Sequence, residues 1–346
     1  MSIHESFEMQ AEAGRILGSP FLEQLMHLCA ERLTAETAVA RRMISWPGDT
    51  SYRGDSVPLR FAGALHRLVL TGICPELGSV WPPAKVDDDR LWRAVETAMH
   101  VQGSQIDDWL DNAPQTNEIR RSVALIPAFH MIARETGLPL ALSELGCSAG
   151  LNLLADQYKL DLGKISFGPD DATVNLTPEW KGPLPSPADL FVADRAGVDM
   201  SPFDLTDEAD RLRLLSYLWP DQPERMTNTA KAIEIFRQIQ PNIEKADAIA
   251  WLEQRLAQPM PGKAHVVFHT VAWQYFPHER QKHGEELLKM AGARATADAP
   301  LARVSMEGEN GAKAATLRLT TWPGGLSRVL GQVDFHGRWV EWSYAG

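Results

Sequence analysis

Apolar residues recur at helical spacing through the first third of the chain and at strand spacing through most of the rest. Leu22, Leu25, Met26 and Cys29 share one helical face after Ser19 and Pro20, which read as an N-cap and first helical residue. Ala62, Leu65 and Val69 make a second face ended by Gly72, and Leu91, Val95, Ala98 and Met99 a third. The acidic run Asp87, Asp88 and Asp89 enters that third helix, where negative charge suits the positive end of the helix dipole. Residues 46 to 55, W-P-G-D-T-S-Y-R-G-D, read as loop, and residues 117 to 135 as a long helix bent near Pro127.

From residue 138 the period changes. Strands are predicted at 139–145, 190–198, 242–246, 264–270, 301–307 and 315–321, with a final pair at 329–335 and 338–343 turned at His336 and Gly337. Strands alternating with helices predict an α/β fold with a largely parallel sheet. The expected division is a helical N-terminal domain over 1–136 and a sheet domain over 137–346, with insertions near 159–189 and 219–240.

The stretch L-S-E-L-G-C-S-A-G-L-N-L, residues 142 to 153, reads as a buried strand running through a small-residue turn into a helix. Small residues at Gly146, Ser148 and Gly150 permit a tight turn and let a ligand approach the amides at the helix start. G-C-S-A-G also matches the nucleophile elbow of hydrolases, which makes Ser148 a candidate nucleophile with His269 or His336 as base. Against it, an elbow follows several earlier strands, and residues 1 to 137 read as helical. A dinucleotide fingerprint is also disfavoured, because Ser148 and Leu151 replace its second and third glycines.

Composition narrows the ligand. A net charge of -11 over 346 residues leaves no footprint for a phosphate backbone, so a small molecule is expected and a nucleic acid is not. Three dispersed cysteines, Cys29, Cys74 and Cys147, fit a reducing compartment. No signal-like N-terminus and no long apolar run occur, so a cytoplasmic protein without a membrane partner is expected. No metal-ligand motif is evident, and the oligomeric state stays open.

The first motif of class I methyltransferases, E/D-x-G-x-G-x-G, resembles this turn: Glu144, Gly146 and Gly150 match, and Ser148 stands at its middle glycine. Two later segments extend the resemblance. L-F-V-A-D-R-A-G-V-D-M-S-P, residues 190 to 202, is similar to the second strand, whose terminal acid, here Asp199, accepts ribose hydroxyls. I-E-K-A-D-A-I-A-W-L, residues 243 to 252, is similar to the third, whose acid and next residue, here Asp247 and Ala248, contact adenine. About 49 residues separate Gly150 from Asp199 where about 20 are usual, so either the insertion folds outside the sheet or Asp161 competes for the role.

The fourth strand, H-V-V-F-H-T-V-A-W-Q-Y-F-P, ends where the transferred methyl lies in class I methyltransferases. His269 is the candidate base there, or a structural histidine; Trp273 and Tyr275 shape a substrate pocket, or pack as core. P-Q-T-N-E-I-R-R, residues 114 to 121, is either a capped helix start at Thr116 or Asn117, or a substrate-recognition edge using Gln115, Asn117 and Glu118. Asp156 and Tyr158 read as packing or surface residues.

Together these segments, with Y-L-W-P-D-Q-P-E-R and the terminal H-G-R-W-V-E-W, resemble a bacterial family of unknown function in the methyltransferase-like superfamily. The resemblance implies a Rossmann-like class I methyltransferase sheet with S-adenosylmethionine as cofactor. It also implies that the helical domain covers the crevice and selects a small-molecule acceptor. A nucleoside-binding regulatory or scaffolding protein without turnover is the alternative of a different class.

Overall fold

The computed structural model describes residues 1–308 and 312–344. The chain divides into two compact units, one formed by Met1–Thr116 with Thr206–Thr227, the other by Asn117–Leu205 with the chain from Asn228 onward.

The first unit is helical. Ile3–Ile16, Pro20–Arg32, Val57–Leu70 and Asp88–Val101 are its longest helices. The Ser19 hydroxyl accepts the Leu22 N–H at 3.1 Å and Asp87 accepts that of Arg90 at 2.8 Å, so both predicted helix starts are capped by the expected chemistry. Their apolar faces meet in one core with Phe7, Met26, Phe61, Leu65, Val95 and Trp219 buried. Trp219 arrives from the later segment, in which Glu208–Ser216 is helical. Gly63 explains how that segment docks: a Cβ there would lie 2.6 Å from the Tyr217 ring. The division therefore falls at Thr116 rather than at 136, because the helix that follows packs on the sheet. The expected insertion at 219–240 is the helix Pro223–Ile239, within which the division also falls.

The second unit is a mixed α/β structure with a large, mostly parallel sheet. Its strands are β1 (Leu140–Leu145), β2 (Lys159–Asp161), β3 (Ser166–Phe167), β4 (Asn175–Leu176), β5 (Glu179–Lys181), β6 (Val192–Asp199), β7 (Asn242–Lys245), β8 (Ala264–Thr270), β9 (Leu301–Gly308), β10 (Ala315–Trp322), β11 (Leu326–Val333) and β12 (Trp339–Trp342). Nine of them form one sheet in the order β5-β12-β11-β10-β9-β8-β1-β6-β7. From β7 to β9 every neighbour is parallel, whereas β9, β10, β11 and β12 make an antiparallel meander. The insertion after β1 mostly folds apart, as a small sheet in the order β3-β2-β4, but its last strand β5 joins the far edge of the main sheet beside β12.

Both faces of the parallel strands are covered, as their continuous apolar composition requires. Val267 points to the side packed by Ile249, Leu252, Leu287 and Leu288, which lie on the helices Ala248–Arg255 and His278–Arg294. Phe268, one residue on, points the other way and meets Phe129 of the helix Ser122–Thr136 edge to face at 5.4 Å. That helix begins later than predicted. Residues Ile119–Arg121 form a 3-10 turn first, and Gly137 ends the helix in a left-handed conformation, φ 66°.

β1 lies between β6 and β8, and the chain leaves β1 toward β6 but reaches β8 only after β7. Connections therefore diverge at the carboxyl end of β1, the position at which open α/β sheets leave a crevice for ligands.

Candidate functional site

Three acids mark the carboxyl ends of adjacent parallel strands. Glu144 is the penultimate residue of β1, Asp199 ends β6, and Asp247 stands two residues beyond β7. The turn after β1 is held in an unusual backbone conformation by Gly146 (φ 67°), Ser148 (φ 53°) and Gly150 (φ 70°). A Cβ at Gly146 would lie 2.7 Å from that of Ala272, and one at Gly150 would lie 2.5 Å from Ile243. These two glycines answer both to their positive φ and to close neighbours from the loop after β8 and from β7.

The turn amides are largely satisfied from within. Cys147 N–H donates to Val198 O, Ser148 N–H to the Asp199 carboxylate at 2.9 Å, and Gly150 N–H to Cys147 O. Leu151 N–H donates to Asn117 Oδ1 at 2.7 Å. The helix expected after the turn is a seven-residue 3-10 segment, Leu151–Gln157. The expectation of free amides at a helix start is therefore corrected: a short 3-10 segment with its first amides claimed makes no phosphate cradle.

Asn117 thus acts through the turn, and it is not the N-cap of the long helix. Glu118 is buried; its carboxylate accepts the Arg120 N–H at 3.1 Å and pairs with the Arg120 guanidinium at 3.2 Å. Gln115 is half-buried and belongs to the first unit. Asp199 also accepts the Ser201 N–H, on its other oxygen, at 2.9 Å. Asp247 caps the helix Ala248–Arg255 through Ile249 and Ala250 N–H, and pairs with Arg280 at 2.6 Å, which together hold its carboxyl below the ordinary range despite partial burial. Ala248 is the first residue of that helix.

Glu144 has the opposite surroundings. It is 2 % exposed, and its Oε2 has no hydrogen-bond partner among the described residues. Burial raises its carboxyl well above the ordinary range; Arg121 pulls it down, the charge on Asp199 pushes it up, and Asn152 lowers it slightly. The Asn152 amide nitrogen reaches no hydrogen-bond geometry, so the carboxyl is under-coordinated among the described residues. Ser148 Oγ is likewise buried and unpartnered. Among the described residues no base touches it, so the nucleophile–base hydrogen bond that the hydrolase reading needs is not formed. Burial also pushes the Cys147 thiol far up, which leaves it unreactive.

His269 is fully buried and both ring nitrogens are occupied. Arg303 Nε donates to Nε2 at 3.1 Å, so the imidazole carries its proton on Nδ1 and donates it to Glu307 at 2.6 Å. Burial keeps the ring neutral by lowering its pKa, against the opposing pull of Glu307. The expected base role is corrected on this ground. Trp273 stacks on His269 at 5.0 Å, lies under the Arg303 guanidinium at 4.5 Å and is core, whereas Tyr275 is 73 % exposed. Asp156 pairs with Arg195, and Tyr158 donates to Leu151 O at 2.6 Å, so both serve packing.

Two residues were not anticipated. Glu307, on β9, accepts the Ala272, Trp273 and Gln274 N–H groups besides His269, and so fixes the loop that follows β8. Arg121 donates from Nε to Phe335 O and from Nη1 to Thr270 O, both at 3.0 Å, reaching the end of β8. Val271, beside that contact, has φ 52°, a strained value for a β-branched residue. Strained residues thus follow both β1 and β8, which border the divergence of connections.

Among the described residues no group of three or more His, Cys, Asp or Glu side chains is placed to hold a metal, and no helix is long and apolar enough to cross a membrane. Searches of curated proteins and of solved structures returned no match. A model of the DUF2332 family, described as an uncharacterized protein conserved in bacteria, spans residues 4–342, and the chain belongs to that family.

Proposed function

We propose that this protein is an S-adenosylmethionine-dependent methyltransferase acting on a small molecule. The observation that carries the reading is the polarity of the carboxyl edge: Glu144, Asp199 and Asp247 mark three adjacent strand ends, while the turn amides of Cys147, Ser148, Gly150 and Leu151 are already bonded. An edge of this kind suits a ligand that offers donors and carries no phosphate. Ribose hydroxyls, an adenine amine and an ammonium group are such donors, whereas a dinucleotide needs the amides that this turn has spent.

Asp199 would hold the ribose hydroxyls, Asp247 and Ala248 the adenine, and the Glu144–Gly150 turn the methionine part. When bound, S-adenosylmethionine supplies an electrophilic methyl group. The chain contributes orientation: Asp199 ties the β1 turn to β6, and Glu307 ties the loop after β8 to β9. Such positioning is worth much of a displacement barrier when the reacting atoms are held in line. His269 takes no proton from the acceptor, since neither nitrogen is free, and this favours acceptors that are nucleophilic without a protein base. The same lock supports a second reading, adenosyl binding without turnover.

Calorimetric titration with S-adenosylmethionine, S-adenosylhomocysteine and NAD tests both. Micromolar binding of the first two, no binding of NAD, and at least tenfold weakening in Asp199→Ala/Asp247→Ala are expected, the tenfold corresponding to about 1.4 kcal/mol. A folded wild-type protein that binds neither adenosyl compound refutes both readings. Binding without formation of S-adenosylhomocysteine across an acceptor library favours the second.

A further inference from the structure

We propose that Arg121 anchors a carboxylate group of the ligand at the carboxyl edge of the sheet, contributed either by the amino-acid part of the cofactor or by the methyl acceptor. The inference rests on the reading of this edge as a ligand site and adds the charge class of what binds there.

Arg121 is partly exposed and closes the 3-10 turn Ile119–Arg121. Its two protein acceptors, Phe335 O and Thr270 O, are neutral carbonyls. A guanidinium has five N–H donors, so three remain, and among the described residues none of them forms an ion pair. The acids nearest in electrostatic effect are engaged elsewhere. Glu118 pairs with Arg120, and Glu307 is committed to His269 and three backbone amides. Burial raises the Glu144 carboxyl well above its ordinary range, against the pull of Arg121. Burial pulls the Arg121 guanidinium below its ordinary value, with Glu118 and then Glu307 opposing, as expected for a cation taken from water without a direct counter-ion.

The Arg121 guanidinium, always charged and in no ion pair among the described residues, keeps donors in a planar fork that matches a carboxylate. Glu118 and Glu307 make the surroundings acidic, so a monoanionic carboxylate fits better than a dianionic phosphate. Arg121 also ties the end of β8 to the turn at Phe335, a structural role that predicts no ligand preference.

The test compares wild type, Arg121→Lys and Arg121→Gln, each checked for cooperative thermal unfolding, against two pairs of probes. S-adenosylhomocysteine and 5′-methylthioadenosine differ by the amino-acid part; 3-fluorobenzoate and 3-fluorobenzamide, followed by fluorine NMR, differ in charge. If the cofactor supplies the carboxylate, wild type prefers S-adenosylhomocysteine at least tenfold and Arg121→Gln abolishes the preference while leaving 5′-methylthioadenosine binding unchanged. If the acceptor supplies it, Arg121→Gln leaves both adenosyl compounds unchanged, and the wild-type preference for fluorobenzoate over fluorobenzamide disappears. Arg121→Lys, which keeps the charge but not the planar fork, retains part of either preference and carries the test if the Gln variant does not fold. Absence of both preferences in wild type, or a preference unaltered by both substitutions, overturns the inference. Failure of the methyltransferase reading is separate: wild type then binds neither adenosyl compound, and the fluorobenzoate pair still decides Arg121.

Discussion

Glu144 and Glu307 sit near the carboxyl ends of β1 and β9, two strands that both flank β8, and both lie in the interior, yet they have opposite acid–base character. Glu307 receives a ring N–H from His269 and three backbone N–H groups, which hold its carboxyl below the ordinary range although burial works against this. Glu144 is more deeply buried and has an oxygen without any donor, so burial wins and the carboxyl is raised well above that range. Burial alone does not decide the charge of a carboxyl; the number of donors pointed at it does. A fully coordinated acid reads as a structural clamp. An under-coordinated one, beside two other strand-end acids and an unpaired arginine, reads as a group awaiting a ligand donor.

Breaking the clamp should have the largest effect. Glu307→Ala leaves the His269 Nδ1–H and three amides without an acceptor, at about 1–3 kcal/mol for each group that water does not reach, so a loss of about 3 kcal/mol or more is expected in urea unfolding. A midpoint close to wild type would show that the loop after β8 does not depend on this side chain.

The pH dependence of stability sharpens the contrast, at smaller amplitude. Glu144 has a raised pKa in the folded state, so its favourable contribution is complete below the unfolded value near 4.5 and fades as pH rises above it. Glu307 and His269 have lowered folded values, so their contributions are present above their unfolded values, near 4.5 and 6.5, and fade as pH falls through the folded ones. Glu144→Gln should therefore flatten the decline on the alkaline side while leaving the acid limb, and Glu307→Gln the reverse. Unfolding measured from about pH 2 to 9 decides it, and identical profiles for the two variants would erase the distinction. The smallest effect belongs to Ser148→Ala. Because its hydroxyl is buried without a partner, its removal should cost nothing and raise stability by at most about 1 kcal/mol. Wild type should also resist fluorophosphonate labelling, and stoichiometric labelling at Ser148 would restore the hydrolase reading.

How much of this was legible beforehand follows from range. Strands β1, β6, β8, β9 and β10 were readable because apolar and β-branched runs bounded by turn residues encode extended structure locally. The helix starts at Ser19 and Asp87 were readable because capping spans three residues. Asp199 was readable as an acid closing a strand; in the fold it accepts the Ser148 N–H, whereas Asp161 accepts the Gly163 N–H in its own hairpin. Glu307 ends an equally apolar strand, V-S-M-E-G, and the same signal was present there. Its partner His269 lies 38 positions earlier in the chain, and no local pattern pairs the two.

The sequence by itself determined most strands of the sheet, the small-residue turn after β1 and the acids at its neighbouring strand ends, since each depends on residues within one or two turns of chain. Tertiary structure decided which of those groups remain available. It brought residues 206–227 to the first unit, occupied both nitrogens of His269, set Trp273 into the core and left Arg121 with no ion pair among the described residues. The physical reason is that protonation and hydrogen-bond saturation depend on every donor and acceptor within a few ångströms, and in this fold those neighbours come from strands far apart in the chain.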